Sequence, residues 1–366
     1  MDFSLSEDEQ TLVALAEQII GDNVHHATLK AREQAGDRVD FTLWATLAEA
    51  GVFSALMPED FGGSGLGAVA LGGICEAVGR HAAALPIGAT MAAAQTVAAF
   101  SPASSPSRAE AESLIERIIS GTERLAPILS SDLTVSTNEP HWYLNGTASF
   151  VADGLDATTL LVAVTTDGAE FRMALIDAEA DGVHRTPQPS TTGYEDAVVT
   201  FDSVSVGLGD LLGTDDGSDV ANFLFQRLDA ALCSHTAGLC QGALELGRGY
   251  ALQRVQFERV IASFQAVSQR VADAWIDLQG IELTSRSAAW RLDAGLDAQR
   301  EVAIARWWAA DAGDRIVHAM VHVHGGVGVD RDYPLHRHFL MARKLELTRG
   351  NAEEQLELIG HLIAAE

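Results

Sequence analysis

Basic side chains are scarce in this chain: 24 Lys and Arg stand against 51 Asp and Glu, a formal charge of -27. Binding a phosphate backbone needs a clustered positive surface, so nucleic acid is excluded as a partner class. Cysteine is scarcer still. Cys75, Cys233 and Cys240 lie in apolar, helical surroundings without CxxC spacing, which excludes a disulfide framework or a zinc site and leaves buried, reduced thiols. A long hydrophobic run is also missing. The charge-free stretch from Ala82 to Ser107 is built of Ala, Thr and Ser and is interrupted by Pro86, Gly88 and Gln95, whereas a membrane span needs about 20 strongly apolar residues. Buried helix plus loop is expected there, and no membrane partner. The acidic start, Met1-Asp2-Phe3-Ser4-Leu5-Ser6-Glu7-Asp8-Glu9, lacks the basic region of an export signal, so a cytoplasmic location is expected. What is present, 47% hydrophobic and 20% charged residues over 366 positions, describes a globular chain of one large or two to three small domains.

Periodicity divides the chain into three textures. Ser6 followed by Glu9 has the form of a capping box, and Leu12, Leu15, Ala16 and Ile19 then recur at helical spacing, as do Trp44, Leu47 and Ala48 after Asp40. The run Met57-Pro58-Glu59-Asp60-Phe61-Gly62-Gly63-Ser64-Gly65-Leu66-Gly67 is not GxGxxG and has no βαβ context, so it reads as a tight loop rather than a dinucleotide cradle. From about Leu125 to Asp210 β-branched alternation takes over. Trp142 to Leu144, Ser149 to Val151, Thr159 to Thr165, Phe171 to Ile176 and Ala197 to Phe201 read as strands, with Asn145-Gly146 as a turn. After Gly217 long helical patterns return around Ala231 to Arg254, Ala266 to Ala294 and Arg300 to His322. The expected class is α+β, with an N-terminal helical domain at 1–122, a middle β-barrel or sandwich domain at 123–215 and a C-terminal four-helix bundle at 216–366.

The motifs Gly238-Leu239-x-x-Gly242-Ala243-Leu244, Tyr250-Ala251-x-x-Arg254-Val255-Gln256-Phe257 and Ser263-Phe264-Gln265-Ala266-Val267 precede His322-Val323-His324-Gly325-Gly326-Val327-Gly328-Val329-Asp330, Tyr333-Pro334 and Thr348-Arg349-Gly350-Asn351. In this order and spacing they resemble the acyl-CoA dehydrogenases, flavoenzymes in which a glutamate removes the α-proton of an acyl-CoA and FAD takes the β-hydride. The loop at Pro58-Glu59 and Gly62-Gly63 matches the same family, so the resemblance covers nearly the whole chain. It implies that Arg254, Gln256, Phe257 and Gln265, with His322, Gly325 and Gly326, contact an FAD shared with a neighbouring subunit. The residue types suit such contacts, since a guanidinium pairs with pyrophosphate, a ring contacts adenine, and glycines admit close backbone approach. Singly, Arg254 could equally be a surface ion-pair residue and Phe257 a core residue. His318, His322 and His324 share helical spacing, but without a carboxylate or thiolate partner in the same turn no metal is assigned.

Counted from Tyr333-Pro334, the family's catalytic glutamate falls on Arg349, so no catalytic residue is assigned to this chain. Ile128-Leu129-Ser130-Ser131 and Phe150-Val151-Ala152 stand where family members carry hydrogen-bonding residues around their own flavin, and Asn351 and Glu353 replace Thr and Gln. This combination resembles the non-catalytic subunit of the α2β2 acyl-CoA dehydrogenases of actinobacterial cholesterol and steroid side-chain degradation, a likeness shared by His336-Arg337 and Trp290-Arg291. It implies a catalytic partner subunit, a steroid side-chain acyl-CoA substrate and an electron-transfer flavoprotein as acceptor. Two alternatives remain open: a self-sufficient homotetramer with a relocated base at Asp229, or less suitably Glu354, and a non-redox scaffold.

Overall fold

Reciprocal hydrogen bonds close the box that starts the first helix, α1 (Glu7–Asn23): Ser6 Oγ accepts from the Glu9 amide at 3.3 Å, and Glu9 Oε2 accepts from the Ser6 amide at 2.7 Å. Its buried stripe is Leu12, Ala16 and Ile20. Leu15, expected on that stripe, is 36% exposed, because 100° per residue carries it off the 12–16–20 line. The computed structural model describes residues 3–105, 107–130, 132–138, 141–166, 171–213 and 217–365. Among them α1 is followed by α2 (His26–Ala35), α3 (Phe41–Glu49), α4 (Val52–Ala55), α5 (Ala68–Arg80), α6 (Ile87–Ala99) and α7 (Arg108–Ile119). Asp40 caps α3 by accepting from the Leu43 amide at 2.8 Å, and Trp44, Leu47 and Ala48 are buried as their spacing requires. The uncharged stretch centres on α6, buried almost throughout. Among the described residues no helix is long and apolar enough to cross a membrane.

The β region is β1 (Leu125–Ile128), β2 (Thr134–Asn138), β3 (His141–Val151), β4 (Thr159–Thr166), β5 (Phe171–Asp177), β6 (Val183–Gln188), β7 (Asp196–Val206) and β8 (Leu211–Leu212). They form one sheet in the order β6-β7-β3-β2-β4-β5-β8, with β1 running parallel to β4 in the register Leu125↔Thr159. Alternate residues, among them Leu144, Ala148, Leu160, Val162, Ile176, Val199 and Phe201, turn into a single core, so the sheet curls around its own apolar face. Asn145-Gly146 is not a turn. It lies inside β3, where the pairing with β7 shifts between Leu144 and Gly146, and a Cβ on Gly146 (φ 129°) would meet Asp132 O at 2.3 Å. A strand crowded by backbone takes up the extra residue as a bulge instead of reversing. Ser131, in one of the flavin-associated stretches, lies outside the described residues; Ile128 is buried at the end of β1.

The rest of the chain is α8 (Ser218–Gln253), the hairpin β9 (Val255–Gln256) and β10 (Arg259–Val260), then α9 (Gln265–Asp293), α10 (Gln299–His324), α11 (Leu335–Leu347) and α12 (Ala352–Ala364). The molecule divides into two compact units. A helical unit comprises Met1–Asp37, Ala68–Ala84 and Asp229–Glu366, and a mixed unit comprises Arg38–Gly67 and Leu85–Leu228. Within the helical unit α5 crosses α8 at backbone contact: a Cβ on Gly238 would lie 1.8 Å from Glu76 O, and one on Gly79 would lie 2.1 Å from His235 O. The crossing buries Cys75, Cys233 and Cys240 as free thiols, and burial pushes Cys75 and Cys233 up to about 12. It also holds His235 neutral, its pKa lowered by burial to about 4.

That contact makes Gly238 the sensitive glycine of α8. Gly238→Ala is expected to cost about 2–3 kcal/mol in urea unfolding, since two packed backbones must separate. Gly249→Ala on the same helix, where a Cβ meets nothing within 4 Å, should be neutral or stabilising by up to about 1 kcal/mol.

Candidate functional site

Arg254 follows the end of α8 and opens a two-residue hairpin turn in which Phe257 (φ 51°) and Glu258 (φ 63°) are both left-handed. Two consecutive non-glycine residues there carry strain that a hairpin of this twist demands. The turn holds Phe257 outward, 87% exposed, its only ring neighbour among the described residues being Phe264 at 6.2 Å, edge-on. Arg259 stacks on Phe264 with its guanidinium 4.0 Å from the ring centroid, and the Ile261 amide donates to Arg254 O at 2.8 Å, so the turn is braced from below. Arg254 and Gln256 are exposed, and the Arg254 side chain makes no ion pair or hydrogen bond with any described residue. Gln265, also exposed, is the first residue of α9.

The glycine loop sits at the far end of α10. His322 is exposed in its last turn, and Gly325 and Gly326 follow in a 3-10 turn where a Cβ on either would meet nothing within 4 Å. His324 points the other way. It is buried, its Nδ1 bonds Met320 O at 2.8 Å, its Nε2 lies 3.0 Å from Tyr333 Oη, and burial lowers its pKa. His318 is occupied by Asp314, with Nδ1 3.1 Å from Oδ1. The three histidines therefore serve different surroundings. Tyr250 stacks on His324 at 4.4 Å and lies 6.5 Å from Tyr333, and the Arg254 amide donates to Tyr250 O at 2.8 Å. This aromatic cluster ties the hairpin of α8 to the glycine loop of α10, so two segments far apart in sequence become one assembly whose outside carries a cation and side-chain amides unbonded among the described residues, beside uncrowded glycines.

The turn at Arg349, where the resemblance puts the family's glutamate, is a second locus. Arg349 lies between α11 and α12 in a left-handed turn (φ 61°) followed by Gly350 (φ 97°). Its guanidinium forks onto Asp229 of α8, Nε to Oδ1 at 2.7 Å and Nη2 to Oδ2 at 3.1 Å. Arg306 of α10 completes a triad. Its side chain is 1% exposed, its Nη2 donates to the carbonyls of Thr348 and Gly350, and its Nε is 3.8 Å from Asp229 Oδ1. Sequence reasoning missed Arg306; the available signal was one cation in the apolar run Val302-Ala303-Ile304-Ala305-Arg306-Trp307-Trp308. Asp229, the candidate relocated base, spends both oxygens on Arg349. Glu354 is engaged as well: its Oε2 accepts from the Asn351 amide at 2.8 Å, while Asn351 Oδ1 caps α12 by accepting from Glu353 and Glu354. Phe150 is 71% exposed in a left-handed conformation (φ 57°), and its amide donates to Gln188 Oε1 at 2.7 Å. Arg337 is structural, forked onto Glu33 of α2 at 2.5 and 2.8 Å.

A helical N-terminal section, a curled central sheet and a C-terminal helical bundle bearing these motifs define a fold of the flavin-dependent dehydrogenase type. The acyl-CoA dehydrogenase N-terminal domain model matches residues 6–122 and the C-terminal domain model matches 215–363. The chain belongs to the acyl-CoA dehydrogenase family. It is 35% identical to the acyl-CoA dehydrogenase FadE27 of Mycobacterium tuberculosis over 100% of this chain and 99% of that protein. It is 30% identical to FadE28 of the same organism, over 87% and 91%. Among solved structures, the ChsE4-ChsE5 complex from Mycobacterium tuberculosis superposes with a TM-score of 0.92 at 33% identity, covering 100% of both chains. The Tcur3481-Tcur3483 steroid ACAD variant gives 0.90 at 32% identity, covering 99% of both.

Removing the shared carboxylate of the triad is the sharpest test of its geometry. Asp229→Asn removes the carboxylate that both guanidiniums face and is expected to cost about 3–5 kcal/mol in chemical unfolding. Replacing both members, as in Asp229→Asn with Arg349→Met, should recover part of that loss, and a double-mutant cycle measures the coupling.

Proposed function

We propose that this chain is the non-catalytic member of an α2β2 FAD-dependent acyl-CoA dehydrogenase acting on a steroid side-chain acyl-CoA, and that it lends half of a flavin site to a catalytic partner. The observation that carries the reading is Arg349, a cation in the base position whose guanidinium is forked onto the nearest alternative carboxylate, Asp229. α-Proton abstraction needs an unencumbered base, and this arrangement offers none at that turn. The self-sufficient alternative loses its support for the same reason. The steroid side-chain substrate rests on likeness to relatives named as a steroid ACAD and as a two-protein complex. An electron-transfer flavoprotein as acceptor and a cytoplasmic setting complete the proposal, as do domains at 1–122, 123–215 and 216–366.

The groups on the outside of the hairpin and glycine loop fit an FAD. Arg254 has a fork for pyrophosphate that no described residue pairs, Phe257 an exposed ring for adenine, Gln256 and Gln265 side-chain amides unbonded among the described residues, His322 an exposed imidazole, and Gly325 and Gly326 uncrowded space for close approach. When bound, FAD supplies the acceptor for the β-hydride of the acyl-CoA. In this reading the present chain binds and orients; its strained Phe257-Glu258 turn keeps the ring and the fork fixed before assembly, so little ordering is left for binding.

Expressed alone, the chain should show no acyl-CoA dehydrogenation, and expressed with its partner the complex should contain two FAD per four chains by flavin absorbance against mass. Strong activity of the isolated chain, abolished by Asp229→Asn, would refute the reading, and four tightly bound FAD would restore a home site. Within the complex Arg254→Ala should weaken FAD binding by roughly ten- to hundredfold, the loss of a charge-assisted hydrogen bond of about 1.5–3 kcal/mol. Arg254→Lys, which keeps charge without the planar fork, should also bind less tightly. Full occupancy of both variants on dilution would make Arg254 structural.

A further inference from the structure

The helical unit holds a half-open cavity of about 760 Å³ between α1, α5 and the second half of α9, a volume typical of small-molecule sites. The proposed function makes no use of it. Two polar groups in its lining are left wanting. The Glu76 carboxylate is 23% exposed, and its nearest cation, the Arg286 guanidinium, stays 3.6 Å away, beyond a good hydrogen bond. The Ser234 side chain, on the face of α8 that meets Gly72, is 3% exposed and makes no hydrogen bond with any described residue. Trp290 and Phe3 also line the cavity, edge to face at 6.2 Å. Polar groups that face a cavity without a close protein partner are open to a ligand that supplies one.

We propose that this cavity binds a primary organic ammonium ion with a flat apolar body, the ammonium held by Glu76 and the Ser234 hydroxyl and the body covered by Trp290 and Phe3. The sign of the lining decides against an anion: Glu9, Glu76 and Asp293 face it, with Arg286 the one cation among its lining residues. Asp293 is already committed, its oxygens accepting from the Ala68 and Val69 amides at 2.6 and 2.8 Å, and Glu9 closes the α1 capping box through Oε2, which leaves Glu76 as the carboxylate with no backbone amide on it among the described residues. An ammonium brings three donors, one for a carboxylate and one for a hydroxyl. Arg286 is half exposed and also within 3.9 Å of Glu282, so it can yield Glu76 to a ligand and keep a carboxylate partner.

Burial raises the Glu76 carboxyl to about 7, with Arg286 opposing and Glu282 adding to the rise. The carboxylate that the ammonium needs is therefore present above pH 7 and lost below it. The test titrates phenethylamine into the full chain by calorimetry, with 3-phenylpropan-1-ol as the uncharged comparison. One saturable site is expected at pH 8, weaker at pH 6, and weaker by roughly ten- to hundredfold in Glu76→Gln, which also loses the pH dependence. Trp290→Leu and Ser234→Ala should each reduce affinity, and Ser234→Ala serves if Glu76→Gln is unstable. Absence of saturable binding, undiminished binding in Glu76→Gln or in Ser234→Ala, or equal affinity for the alcohol overturns the proposal.

Discussion

One carboxylate, Asp229, organises the chemistry of the helical unit because two arginines converge on it, one from a helix and one from a turn. Arg349 reaches it from the turn between α11 and α12, and the wholly buried Arg306 lies 3.8 Å from it on α10. With one anion for two cations, Arg306 turns Nη2 to the carbonyls of Thr348 and Gly350 while its Nε and Nη1 make no hydrogen bond with the described residues, and the Nη2 grip holds the left-handed turn carrying Arg349. Charge pairing and backbone geometry are thus mutually dependent: the turn presents Arg349 to Asp229, and the arginine beneath fixes the turn. Such a network is a weak source of stability in itself, since desolvation opposes the Coulomb gain. Its consequence is positional, because it leaves Asp229, the carboxylate beside that turn, already spoken for.

The assembly formed by the hairpin and the glycine loop has the opposite character. Its inside is saturated: His324 uses both ring nitrogens and stacks on Tyr250, and Arg259 covers Phe264. Its outside is open, with Arg254 unpaired among the described residues, Phe257 87% exposed and uncrowded glycines at 325 and 326. A rigid, strained support with unpaired groups on one side is how proteins prepare a binding surface in advance. One locus of the bundle is closed upon itself and the other open, and this contrast supports assigning a binding rather than a proton-transfer role.

Much of this is legible in order along the chain. The Ser6–Glu9 box, the Asp40 cap, the buried thiols and the long helices after Gly217 follow from local rules, because caps and periodic stripes depend on residues within a turn or two of one another. Local rules fail where a distant backbone intervenes. Asn145-Gly146 carries a good turn signature, yet Asp132 O presses against Gly146 and the pair forms a bulge. Thr134–Asn138 and Val183–Gln188 carry no strand signal strong enough to stand alone, since their partners on β3 and β7 supply what their own patterns lack.

By itself the sequence determined the kind of fold, the register of motifs and the cation at position 349, all set by residue type and spacing. Only tertiary structure decided that Arg349 would neutralise Asp229, that Arg306 would hold the turn between them, and that Glu76 and Ser234 would face a common cavity. These relations join positions separated by long stretches of chain, and no local periodicity encodes them. They depend on where glycines let α5 and α8 meet backbone to backbone and on which side chains the resulting bundle leaves without water.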